Sequence, residues 1–518
     1  MSFAKVYSAQ TVLLNAQIID IEIDILRGLN SFSIVGLPDK AVEESRDRVS
    51  AAIKNSGFKS PKQKNQKIIV SLAPADIKKE GPSFDLAIAL AYLLAYRDPD
   101  TKERALVFDP SKKIFLGELS LDGSLRSITG VLTLAREAKK RGFLEIFVPK
   151  ANAREAALIE GIKVFGAKNL KEVVAHLNER HPFVYTPSPR TLLEKIHTNN
   201  ESAVEFDDIK GNSTAKRGLL IAAAGGHNIA LYGPPGTGKT MLARAFTSIL
   251  PPLSFEDALE VSGIHSIAGT LASPLLTHPP FRSPHHTSSY VAIVGGGVYP
   301  KPGEVTLAHK GVLFLDEFPE FDRRVIETLR QPLEDSFVSI SRAKGSAEFP
   351  ADFILIASMN PCPCGNKGSK KECICSPMQI ERYKRKLSGP IIDRIDMWIE
   401  VAKVEYKDLT EKTTRRGEGE IFRKKIAHVR DIQQKRFASH ERISLNSQMN
   451  ARDLLEILEL SKEVKDILNT SAERLSLSAR AYHRIIKLAQ TIADIEDAPH
   501  IEPEHVLEAL QYRLKENW

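Results

Sequence analysis

The chain has 518 residues, too many for one ordinary core, so two to four domains are expected. Apolar residues make up 42% and charged residues 26%, as in soluble globular protein, and 72 Lys plus Arg against 65 Asp plus Glu leave a formal charge of +7. That mild excess permits nucleic-acid contact without requiring it; no apolar run approaches the roughly 20 residues of a membrane span, and Met1–Asp20 lacks the pattern of a signal peptide.

Residues 1–180 read as a mixed α/β domain. Ile18–Ile25 alternates apolar residues with Asp20, Glu22 and Asp24, a strand pattern. Gly36-Leu37-Pro38 breaks the chain, and Lys40–Lys54 predicts a helix. Lys67–Leu72 predicts a strand, Phe84–Ala95 an apolar helix, and Ile114–Leu119 a strand closed by Asp122-Gly123. Val131–Arg141 is a helix stopped by Gly142, followed by the strand Glu145–Val148. Residues 181–202, with Pro182, Pro187 and Pro189, read as a linker. Residues 203–402 hold the nucleotide motifs, and residues 403–518 are charged, helix-forming and poor in glycine.

The apolar strand Asn228–Tyr232 runs into Gly233, Pro234, Pro235, Gly236, Thr237, Gly238, Lys239 and Thr240, and Met241–Leu250 continues as a helix. Strand, glycine loop and helix are the context a phosphate loop needs. Glycines let backbone N–H groups turn onto phosphate oxygens, and the helix start adds a favourable field for anions. Lys239 would reach the β- and γ-phosphates of ATP, and Thr240 would hold Mg²⁺. Val312–Leu315 is a second buried strand, delivering Asp316 and Glu317 to the edge where ligands sit in open α/β sheets. Asp316 would orient Mg²⁺ through water, and Glu317 would act as general base on the attacking water. Two acids ending a strand can be merely structural; the upstream phosphate loop argues otherwise. Phe353–Ser358 is a third strand, and Asn360 after it is placed to hold the lytic water or γ-phosphate.

All four cysteines fall in one short stretch. Cys362-x-Cys364 and Cys373-x-Cys375 bracket a polar loop with Lys367, Lys370 and Lys371, and four thiolates can complete a tetrahedral Zn²⁺ shell. The alternative is four reduced thiols in a loop. This cysteine usage is not that of a disulfide-stapled secreted protein, and a reducing cytoplasm fits it. Val338–Phe349 predicts a hairpin with Arg342 and Lys344 in its middle, on its residues alone a solvated basic turn.

These motifs resemble those of AAA+ ATPases, and more narrowly of the magnesium-chelatase-like branch. The likeness rests on Gly233–Thr240, Phe281–Ser289 (F-R-S-P-H-H-T-S-S), Pro302–Phe318, Ala357–Gly365 (A-S-M-N-P-C-P-C-G), Leu387–Met397 and Leu477–Asp494. The resemblance implies an AAA+ P-loop module with a C-terminal helical lid. It implies an insertion before Asp316, for which Ser262–Gly297 is the candidate. It also implies a homohexameric ring with ATP at subunit boundaries. Arg394 would then be a finger reaching the neighbour's γ-phosphate, with Arg382 and Arg385 as competitors and an ion pair to Asp393 or Asp396 as the alternative. Arg480 would be the second sensor on the lid, and Arg342 and Lys344, by likeness to the pore hairpins of ring helicases, would contact DNA phosphates. The activity implied is a helicase or translocase promoting branch migration of DNA during recombination in natural transformation; the alternative is a motor subunit driving metal insertion into a tetrapyrrole. The N-terminal block, through Lys79-Glu80-Gly81-Pro82-Ser83, Gly117-Glu118-Leu119 and Ile128-Thr129-Gly130, resembles the Lon-protease-like fold (ribosomal S5 domain 2-like). Its nucleophile position is Ser83, but the position of the family's Lys is Leu132. A serine without that lysine is not activated, so an ATP-dependent protease is disfavoured. The block is expected instead to bind nucleic acid or organise the ring.

Overall fold

A computed structural model describes residues 2–63, 65–97, 106–179, 204–297, 301–342, 345–367, 371–404, 417–440 and 442–514. The chain forms two compact units, Met1–Thr198 with Phe255–Leu276, and Asn199–Ser254 with Thr277–Trp518. The stretch expected as a linker, 181–202, lies outside the described residues.

The first unit is built on a seven-stranded mixed sheet. Ser2–Val12 and Asn15–Arg27 pair antiparallel, and Gln66–Ala73 pairs antiparallel with the second of them. Ser31–Val35, Lys113–Phe115, Glu145–Pro149 and Lys163–Ala167 join through parallel pairings. The strand expected at Ile18–Ile25 is the middle of Asn15–Arg27, with Ile19, Ile21 and Ile23 buried between acids that are not. The helix Asp85–Ala95 is buried at every position, which explains its apolar sequence after Asp85, whose carboxylate pairs with Arg48. The single strand expected at Ile114–Leu119 is instead two, Lys113–Phe115 and Glu118–Leu119. Gly117 separates them because its N–H donates to Ser83 O (2.9 Å) and its carbonyl accepts Leu86 N–H (3.1 Å), taking both groups out of the sheet ladder.

The region expected as one insertion, Ser262–Gly297, is divided between the two units. Its front part continues the helix Phe255–Ala268, which packs on Val131–Lys140. Small buried residues, Ser262, Gly263 and Ser266, permit that approach. Ser266 Oγ donates to the buried Glu155 at 2.5 Å and accepts Gly130 N–H at 2.9 Å. Leu132, the position at which the Lon-like resemblance expects a lysine, is buried on Val131–Lys140, and Glu155 accepts its backbone N–H at 3.1 Å.

The second unit holds a five-stranded parallel sheet in the order Phe281–Arg282, Val312–Leu315, Ile354–Met359, Ile229–Tyr232, Met397–Glu400. The three middle strands are buried at every residue, as a parallel sheet covered on both faces requires. The C-terminal helices Glu418–Arg436, Ala479–Ile495 and Pro503–Gln511 share one apolar core with this sheet. Arg430 donates to Ala223 O at 2.7 Å, and Arg436 grips the buried Asp494 through both carboxylate oxygens at 2.8 and 2.5 Å. Phe337–Arg342 and Gly345–Pro350 form the expected hairpin, with Arg342 opposite Gly345; Lys344 lies outside the described residues.

Candidate active site

The buried strand Ile229–Tyr232, between Ile354–Met359 and Met397–Glu400, ends at Gly233, where the chain turns into the loop and then the helix Lys239–Ile249. Glycine is required at Gly233 because a Cβ there would stand 2.3 Å from Val401 O. At Gly236 and Gly238 the space is open, and the requirement is conformational, with φ of +75° and +87°. Thr237 Oγ1 donates to Pro234 O at 3.0 Å and stiffens the loop beside Pro235.

Lys239 is buried, and its ammonium donates to Gly233 O (2.7 Å), Pro234 O (2.9 Å) and Asn360 Oδ1 (3.2 Å). Burial holds its pKa below the usual lysine range, while the nearby Asp316 pulls the other way. Asn360, which follows the neighbouring strand Ile354–Met359, is thereby joined to the phosphate loop. Thr240 Oγ1 donates to Asp316 Oδ2 at 2.9 Å. That places side by side the hydroxyl and carboxylate that would hold Mg²⁺. The other oxygen, Asp316 Oδ1, accepts Ser358 Oγ at 2.5 Å and Glu317 N–H at 3.0 Å.

Glu317 adopts the left-handed conformation, φ +52° and ψ +45°, uncommon for a residue with a side chain. Its half-exposed carboxylate stands 3.5 Å from His286 Nδ1. The F-R-S-P-H-H-T stretch carries no sequence signal that assigns a role to its histidines. Ser358 is marked in sequence only as one hydroxyl in the otherwise apolar run I-L-I-A-S-M, before Asn360.

The two arginines are not brought to this phosphate loop. Arg394 and Arg480 converge on Glu334: Arg394 Nη2 bonds it directly, and Arg480 Nη2 lies 3.5 Å from its Oε1. Arg394 Nη1 also donates to Pro390 O at 2.7 Å. Asp393, the alternative partner considered for Arg394, instead lies 3.7 Å from Arg484. Arg385 pairs with Glu381 at 2.5 Å on the exposed surface. Glu334 carried no motif and could not have been found from sequence.

The four cysteines do come together, their sulfurs all within 4.8 Å of one another. The Asn366 backbone N–H draws the Cys364 thiol down to about 6. Lys367 donates its backbone N–H to Cys362 Sγ at 3.4 Å, and Lys371 is exposed; Lys370 lies outside the described residues.

Known proteins resemble this chain throughout its length. Three family descriptions match in series: Subunit ChlI of Mg-chelatase over residues 21–152, Magnesium chelatase, subunit ChlI over 205–409, and Magnesium chelatase, subunit ChlI C-terminal over 418–513. The chain is 40% identical over 520 residues to the Competence protein ComM of Haemophilus influenzae, spanning 99% of this chain and 98% of that one. It is 40% identical over 517 residues to YifB of Salmonella typhimurium, an uncharacterized protein, spanning 99% and 97%. A shorter likeness, 31% over 102 residues, relates 20% of this chain to 21% of the DNA repair protein RadA of Listeria monocytogenes.

Proposed function

This chain belongs to the magnesium-chelatase-like AAA+ family, in the group of ComM and YifB, and on that premise we propose that it is an ATP-driven DNA motor. Family membership implies ATPase activity. The observation that carries the chemistry is the pairing of Lys239 with Asn360 and of Thr240 with Asp316, with Glu317 at the same sheet edge. Lys239 and the loop N–H groups would anchor the β- and γ-phosphates, and Thr240 and Asp316 would hold Mg²⁺, which neutralises charge between those phosphates. Glu317 would accept a proton from the attacking water, and Asn360 would fix the γ-phosphate end of the pocket. Arg394 would complete the neighbouring subunit's site in a homohexameric ring, and Arg480 would act as the second sensor. Both would leave Glu334 to do so.

The DNA substrate is supported by identity along the whole chain to a protein named for competence, and by the partial likeness to a DNA repair protein. The reading is helicase or translocase activity promoting branch migration in natural transformation, with Arg342, Lys344, Lys367, Lys370 and Lys371 as phosphate contacts. The N-terminal unit is read as a Lon-like domain without its lysine. The further cofactor would be zinc at Cys362, Cys364, Cys373 and Cys375. No helix among the described residues is long and apolar enough to cross a membrane, and we place the protein in the cytoplasm.

A chelatase-type motor is the second reading. It gains from the match of residues 21–152, since the N-terminal block then no longer sets the chain apart from that branch. One experiment separates the two: ATP turnover and strand displacement, with and without branched DNA, in wild type and Lys239→Ala. Stimulation by DNA and displacement lost in the variant are expected. No stimulation and no DNA binding at low salt would overturn the DNA motor.

A further inference from the structure

Outside the phosphate pocket, the densest group of nucleophilic side chains among the described residues is the cysteine cluster. Cys362 Sγ lies 3.4 Å from Cys364 Sγ and 3.7 Å from Cys373 Sγ, and Cys364 Sγ lies 3.6 Å from Cys373 Sγ. A disulfide would need about 2.05 Å. A tetrahedral zinc with bonds of about 2.3 Å places its sulfurs about 3.8 Å apart, close to the spacing seen. The Lys367 N–H aimed at Cys362 Sγ is the kind of donor that steadies a metal-bound thiolate.

The cage is built into the nucleotide pocket. Cys362 is fully buried and stands two residues after Asn360. Asn360 is held through its side-chain oxygen, which accepts from Lys239 at 3.2 Å. From Cys362 the chain turns back, Gly365 N–H donating to Cys362 O at 3.0 Å. Gly365 has φ +78°, and a Cβ there would lie 2.8 Å from Cδ of Pro235 in the phosphate loop. One face of this turn therefore touches the loop that would hold phosphate, and the other carries two of the four sulfurs.

We propose that the four cysteines bind one zinc ion, and that this cage is a strut of the nucleotide pocket, fixing Asn360 and the Pro235 side of the phosphate loop so that loss of the metal lowers ATP turnover more than ATP binding. The inference rests on the reading that this pocket hydrolyses ATP and that the cysteines hold zinc. Binding is spared because the main anchors are independent of the cage. Lys239 is also held by Gly233 O and Pro234 O, and Thr240 by Asp316. Asn360 leads directly on its C-terminal side into Pro361 and Cys362, so its position follows that of the cage.

The test uses the full chain. Zinc per chain is measured on the purified protein and again as it is released by a thiol-blocking mercurial. Then kcat and KM for ATP are compared in zinc-loaded, chelator-stripped and zinc-reloaded protein, for wild type and for Asn360→Ala. Thermal melting follows each state, so that unfolding is recognised. The expectation is one zinc per chain. Stripping should lower kcat by about 10–100-fold, the usual effect of losing a supporting shell, with KM changed much less and kcat restored on reloading. In Asn360→Ala stripping should bring little further loss. Because Cys362→Ser alters a fully buried position, the variant at the more exposed cysteine, Cys375→Ser, is made as well and is expected to lose zinc and turnover together. Zinc that is bound but removed without effect on kcat would overturn the strut and leave the zinc site. A zinc-free, fully active preparation would overturn both. Equal proportional losses in wild type and Asn360→Ala would overturn the link to Asn360. A zinc-loaded protein that never hydrolyses ATP would overturn the ATPase reading while the stoichiometry still judged the metal site.

Discussion

Replacing Glu317 with Gln isolates the proposed base from the groups that would bind nucleotide. The carboxamide has the same size but cannot accept the proton of the attacking water. Asp316 keeps both of its side-chain donors, Thr240 at 2.9 Å and Ser358 at 2.5 Å, and the third donor is the Glu317 backbone N–H, which Gln retains. The Glu317 side chain is half-exposed and pairs with His286 at 3.5 Å, so the substitution should shift stability by no more than about 0.5 kcal/mol. A positioned base contributes about 10²–10⁴-fold. At about 1.4 kcal/mol per factor of ten, the barrier rises by about 3–5 kcal/mol. Steady-state phosphate release gives kcat, and titration with a fluorescent ATP analogue gives Kd. A fall in kcat of less than about tenfold would refute the assignment of Glu317 as base. So would a comparable weakening of Kd, because it would place Glu317 among the binding groups.

Three other outcomes are expected. Arg394→Ala should lower kcat by about 10³-fold, as loss of a finger does, and mixing it with Lys239→Ala should recover activity, since some interfaces then pair an intact Lys239 with an intact Arg394; an inactive mixture counts against action between subunits. Arg48→Leu should destabilise the first unit by about 3–5 kcal/mol, because it strands the fully buried Asp85, now 3.0 Å from Arg48 Nε. Burial already pushes the Asp85 pKa up, against the pull of Arg48. Without Arg48 the folded state binds still more proton than the unfolded one at mildly acid pH, so the variant's deficit should shrink as pH falls; a deficit that grows on acidification contradicts this. Gly233→Ala should cost about 1–3 kcal/mol and disturb ATP binding, since its Cβ meets Val401 O at 2.3 Å; thermal melting with and without ATP checks both effects.

The nucleotide chemistry was legible in the sequence because it is local. A strand, a glycine turn and a helix start make a phosphate cradle within a dozen residues, and two acids at the end of a buried apolar run announce the sheet edge. The strand pattern of Ile18–Ile25 and the helix at Lys40–Lys54 were legible for the same reason, through short-range periodicity. Strand order had to come from the fold. Only the insertion of Ile229–Tyr232 between Ile354–Met359 and Met397–Glu400 brings Asn360 within 3.2 Å of Lys239. Four cysteines in C-x-C pairs suggested a metal, but folding decided that their sulfurs meet, next to a turn whose Gly365 lies close to Pro235. Glu334 received two arginines, and Glu155 received Ser266 from 111 residues away, without any motif to mark either acid. Such contacts have no sequence period, because they depend on which surfaces close together and on which buried polar atoms must then find partners. Sequence by itself marked the phosphate loop and the two acids of the sheet edge, because those signals are local; tertiary structure decided which residues stand around them.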